Sequence, residues 1–192
     1  MAKSLYEKAE QFAVDSFTKT GDTVTIRHLT RTVYWIKYLR PDADEALLIA
    51  AITHDIDRGF KDNLSSAFKK VRESDKSIKD DEFIIRHPNE CARIISKFLS
   101  EQAADKKLIE RVNSLVSRHE LGGDEDQNLL KDADSLSFLE NNIEHFLTKG
   151  IAEIGKEKVK EKFDYMFERI TSEKARQIAR PWYEQAIKKL GF

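Results

Sequence analysis

The chain has 192 residues, enough for one domain with a sizeable core, and its 33 basic and 34 acidic side chains nearly cancel to a formal charge of −1, so no basic excess points to a nucleic-acid polymer. Seven Gly and three Pro fall well below average usage and speak against a turn-rich β-sandwich or barrel, while a hydrophobic content of 40% speaks against disorder. Cys91 is the single cysteine, which excludes an intrachain disulfide and a thiolate cluster for zinc. The expectation is a reducing, cytoplasmic setting in which any metal is held by histidines and carboxylates. The longest wholly apolar run, Ala46 to Ile52, is far short of the roughly 20 residues of a membrane span, so no membrane association is expected.

Apolar residues recur at helical spacing along almost the whole chain. Leu5, Ala9, Phe12 and Ala13 open a first predicted helix, and Ile26, Leu29, Val33 and Ile36 mark a second that Pro41 ends. Asp42 followed by Glu45 has the spacing of a capping box, ahead of a buried helix that ends near His54. Residues 57 to 82 are mostly polar and read as a long loop with at most a short helix. His87 before Pro88 predicts an N-cap with proline at the first helical position, and Cys91, Ile94, Ile95, Phe98 and Leu99 carry the stripe onward. Leu108, Val112, Leu115 and Val116 continue in another helix before Gly122-Gly123, Leu129 to Phe146 form the next, and two more follow Gly150. The predicted class is all-α, with about seven to nine helices.

Four of the five histidines, His28, His54, His87 and His119, fall on four different predicted elements. His54 lies four residues after Ala50 and seven after Leu47, and Asp55 stands in the same relation to Ala51 and Leu48. His119 lies three, four and seven residues after Val116, Leu115 and Val112. Imidazoles and a carboxylate on apolar stripes are costly unless something satisfies them, and a shared metal does so. In the stretch KDADSLSF, Asp134 falls on the inward stripe between Leu130 and Phe138, whereas Asp132 is offset by about 200° and is expected to face solvent or to orient a neighbour.

This ordered set resembles the HD superfamily of helical metal-dependent phosphohydrolases, whose signature is an early His, an adjacent His-Asp pair closing a buried helix, and a distant Asp. The stretches RHPNECARIISKFL and SLVSRHE are similar to the further histidine segments of members that bind two metals. The resemblance implies a helical bundle with its metal-binding core over about 24–140 and a C-terminal helical extension over about 150–192. It implies one metal on His28, His54, Asp55 and Asp134, and a second on His87 and His119 with Asp55 bridging. One or two divalent ions per chain are expected, from Fe, Mn, Co, Ni, Zn or Mg.

A small phosphorylated substrate, such as a nucleotide, is implied as well. Arg58 and Lys61 would clamp its phosphate oxygens, and Asp57 or Asp132 would shuttle the leaving-group proton. The Gly-Tyr-Pro triplet of the cyclic-dinucleotide branch is absent, and Asp57 stands where many members have Gly before the basic residue. Two other readings use the same ligands: a mixed-valent di-iron oxygenase, and a non-catalytic, metal-stabilised interaction domain.

Overall fold

The first helix starts where Ser4 accepts a hydrogen bond from the Glu7 amide while the Glu7 carboxylate accepts from the Ser4 amide, a reciprocal cap. That helix, α1 (Leu5–Thr20), ends at Gly21, whose left-handed φ of 72° suits a residue with no Cβ. Asp22 then caps α2 (Thr23–Leu39) through the Thr25 amide. These elements belong to a computed structural model that describes residues 3–60 and 81–192. Every regular element among the described residues is helical, as the periodicity predicts, and none of these helices is long and apolar enough to cross a membrane.

The third helix, α3 (Glu45–Thr53), is capped by Asp44 and not by Asp42: the Asp44 carboxylate accepts from the Leu47 amide, and Glu45 instead reaches the Tyr6 amide on α1. Ala46, Leu47, Ile49, Ala50, Ala51, Ile52 and Thr53 are all buried, so α3 runs through the centre with α1, α2 and a later helix packed around it. A 3₁₀ turn (Ile56–Phe60) follows and presses on α1. A Cβ on Gly59 would stand 2.9 Å from the Ser16 Cβ, so only glycine lets the turn approach that closely.

The reading of 57 to 82 as a loop is corrected at both ends, by this turn and by a helix that already begins at Asp81; the rest of the segment, with Lys61, lies outside the described residues. In α4 (Asp81–Glu101), Pro88 sits in the interior, so His87 is not an N-cap. Burial of Ile84 and the contacts of His87 with two carboxylates offset the roughly 3 kcal/mol cost of an interior proline.

Helix α5 (Lys106–Ser117) pairs with α4. Next, α6 (Glu125–Asn141) starts at a second reciprocal cap, Asp124 with Gln127. Three consecutive pieces, Ile143–His145, the π turn Phe146–Gly150 and Ile151–Ile154, are numbered together as α7. The chain closes with α8 (Lys156–Glu168) and α9 (Glu173–Leu190). The nine helices among the described residues fall within the expected seven to nine.

Residues 130 to 139 of α6 are buried without a break, because α2 covers one side and α8 and α9 cover the other. The C-terminal segment is therefore more than an appendage to the fold. Val159, Phe163, Met166 and Ile170 belong to the same apolar core as Leu29, Ile52 and Leu136.

Candidate metal centre

Helix ends supply two of the histidines. A helix leaves its last carbonyls without amide partners, and His54, the C-cap of α3, sets its Nδ1 2.9 Å from the Ala51 carbonyl. His119, two residues beyond the end of α5, does the same to Val116 at 2.8 Å. Its position in a turn corrects the expectation that it lies within the helix, although it is just as buried. In both, a proton on Nδ1 donated to the carbonyl leaves Nε2 as the atom that takes a cation.

The four Nε2 atoms and two carboxylates converge. His28 Nε2 on α2 lies 3.2 Å from His54 Nε2 and 3.0 Å from Asp134 Oδ1. His54 Nε2 is 3.5 Å from that oxygen, and both histidines stand 3.9 Å from Asp55 Oδ2. Ligands about 2.1 Å from one ion are about 3.0 Å apart at a right angle and about 3.4 Å apart at the tetrahedral angle. The 3.0 to 3.5 Å spacings among His28, His54 and Asp134 are those that ligands around a single ion would have, with Asp55 somewhat farther out.

The other oxygen of Asp55 faces a second group, 2.8 Å from His87 Nε2. One donor atom each from Asp55, His87 and His119 lie within 4.8 Å of one another, as do those of His28, His54 and Asp134. His119 provides the test of fit. Burial lowers its pKa to about 4, so it is neutral at pH 7, and its Nε2 is buried with no hydrogen-bond partner. A buried, unsatisfied nitrogen is costly, and a metal ion shared with Asp55 and His87 would satisfy it. All six expected ligands are thus brought together, and the donor set suits divalent first-row metals.

The electrostatics keep the carboxylates ionised. Burial works against charge on Asp55, yet Arg58, His54 and His87 hold its carboxyl well below the usual range. Burial likewise opposes charge on Asp134, and Arg169 with His54 overcomes it. Arg58 Nη1 lies 2.8 Å from Asp55 Oδ2, beside the cluster as expected.

Asp57 is a different case. Its Oδ1 stands 3.0 Å from His87 Nδ1, on the far side of the ring from the converging Nε2, which is the position of a carboxylate that orients a metal-binding histidine. Cys91 also approaches this edge, with Sγ 3.8 Å from His87 Nδ1. Burial pushes the thiol up to about 11, so it is a protonated neighbour.

Asp132 faces neither solvent nor the cluster. It is buried and accepts from the Thr171 amide at 2.8 Å and the Ser172 amide at 2.7 Å, fastening the start of α9 to α6. The wheel offset from Asp134 is real, but α9 covers the face that a two-sided helix would turn to water.

Sequence reasoning missed Arg169, Glu120, Tyr165 and Lys162. Arg169, just beyond α8, donates to Asp134 Oδ2, to Glu120 Oε2 and, at 2.8 Å, to Ser135 Oγ. The Tyr165 hydroxyl donates to Glu120 at 3.0 Å. The available signal was the polar stripe Lys162, Tyr165, Arg169 at i, i+3, i+7, running alongside the apolar stripe Phe163, Met166, Phe167 and Ile170.

A model of the family described as a domain of unknown function, DUF4202, matches residues 13–190, a span that takes in all six clustered residues and the C-terminal helices. No curated protein and no solved structure matches the chain.

Proposed function

This chain belongs to the DUF4202 family, and we propose that it is a metal-dependent phosphohydrolase of the HD type that cleaves a phosphate ester of a small metabolite such as a nucleotide. The observation that carries this reading is the position of Asp55. One oxygen is 2.8 Å from His87 Nε2, the other is 3.9 Å from both His28 and His54, and Arg58 stands against it.

In this reading His28, His54 and Asp134 would hold one divalent ion and His87 and His119 a second, with Asp55 available to both. Two such ions activate water and neutralise charge on a phosphoryl group. The chain's own residues do the rest. Asp57 keeps the His87 ring oriented, and Nδ1 donation to Ala51 and Val116 keeps the Nε2 atoms of His54 and His119 turned toward the ions. Arg58, which stands against Asp55, would be the cation that meets a phosphoryl oxygen, for which its planar guanidinium is suited.

The test is phosphate release from nucleotides and from generic phosphomonoesters and phosphodiesters, by protein loaded with Mn, Co, Mg or Fe. Arg58→Ala is expected to lower kcat by about 10²- to 10³-fold, the effect of losing one donor to a developing oxyanion, while metal content is unchanged. Unchanged kcat removes Arg58 from the mechanism. Absence of any metal-dependent release, with substrate-dependent oxygen uptake by the iron form, replaces the hydrolase by the oxygenase.

A further inference from the structure

Lys162 projects from the α8 face that also carries Tyr165 and Arg169. Its ammonium lies 5.4 Å from the centre of the Phe138 ring and 5.3 Å from that of Tyr165, a placement that attracts a cation without neutralising it. Lys162 is half-buried, and no carboxylate among the described residues pairs with it. The neighbouring cations are already engaged, Arg58 with Asp55 and Arg169 with Asp134 and Glu120. The Tyr165 ring beside it carries the hydroxyl that donates to Glu120, the residue next to His119 in the chain and the partner of Arg169, so the Lys162 ammonium stands on the same wall as the clustered histidines. A half-buried ammonium without an anion is poorly solvated, so the position favours a mobile anion.

The formal charge count around it says which anion. With its imidazoles neutral, as metal-bound imidazoles are, the centre has Asp55, Asp57, Glu120 and Asp134 outnumbering Arg58, Lys162 and Arg169 by one. Two divalent ions leave it three charges positive, which favours a dianion over a monoanion.

Resting on the phosphohydrolase reading, we infer that Lys162 is a substrate-binding residue that takes a phosphoryl oxygen, and that the substrate class is phosphomonoesters, bound as dianions, in preference to diesters. The α8 face is then part of the active-site wall. The ammonium serves as a point charge, and its distance from Arg58 along the chain means that the two cations reach the phosphate from separate elements.

Inorganic phosphate is the probe. In calorimetry with the manganese-loaded protein, phosphate is expected to bind the wild type. Lys162→Gln should weaken binding by roughly 10- to 100-fold, the range for a hydrogen bond to a charged group, and Lys162→Arg should recover most of it, with metal content equal in all three. In the wild type, phosphate should also protect Lys162 from acetylation read by mass spectrometry, a measurement that needs no variant to fold. Equal affinity in Lys162→Gln, no binding by the wild type, or no protection overturns the inference. Turnover separates the two claims. Protection at Lys162 without hydrolysis of any ester keeps the anion site and removes the hydrolase; hydrolysis that prefers diesters keeps the hydrolase and removes the monoester assignment.

Discussion

Asp55→Ala is expected to lose at least one of two bound metal equivalents and to reduce metal-dependent hydrolysis by at least about 10³-fold, since on the proposed two-ion reading several kcal/mol of transition-state stabilisation would pass through ions held by Asp55. The reason is geometric. Asp55 faces His87 with one oxygen and His28 and His54 with the other, so no other side chain can take its place without moving a helix. Metal analysis after loading and desalting, together with the hydrolysis assay, checks the result. Asp55→Asn, which keeps the shape and removes the charge, is expected to behave in the same direction with a smaller loss of metal. Retention of two equivalents by Asp55→Ala contradicts the shared-ligand assignment.

Arg169→Leu is expected to destabilise the metal-free protein by about 3 to 5 kcal/mol, the cost of leaving buried charge without its partner. Two carboxylates lose their counter-ion at once, Asp134 and Glu120, both buried. The pH dependence has a definite sign. Although burial opposes ionisation of Glu120, Arg169 and Lys162 lower its pKa from 4.5 to about 2. A depressed acid adds stability that is complete above its unfolded value and is lost as pH falls through its folded value. The deficit of Arg169→Leu should therefore be largest near neutral pH and shrink between about pH 5 and pH 2. Added divalent metal should return part of the loss, because an ion on Asp134 supplies the missing positive charge and binding stabilises the folded state by mass action. Urea unfolding across that pH range, with and without manganese, gives the comparison. A deficit under about 1 kcal/mol at pH 7, as for an exposed pair, contradicts the role given to Arg169.

The features legible in the sequence are those written locally. The helical class follows from apolar spacing within each turn or two, and His54, Asp55 and Asp134 stand out because polar groups on an apolar stripe need a reason to be there. Where two local signals compete, the sequence is ambiguous. Asp42 and Asp44 both precede α3, and only the destination of the Glu45 carboxylate, on α1, decides between them. Pro88 reads as a helix start, but buried contacts made by Ile84 and His87 carry the helix back to Asp81.

Asp132 and Arg169 were hidden for a different reason. Each acts on a partner more than thirty residues away, and a single sequence carries no record of pairing at that distance. The same limit made the C-terminal helices read as an extension, although they place Lys162, Tyr165 and Arg169 beside the centre.

The central claim is a two-ion centre that shares Asp55, and crystals of the manganese-loaded protein test it most directly through anomalous scattering. Two peaks are expected about 3.5 to 4 Å apart, one bounded by His28, His54 and Asp134, the other by His87 and His119, with Asp55 between them. A single peak under metal-replete conditions, or peaks that leave the His119 Nε2 without a metal, would contradict it.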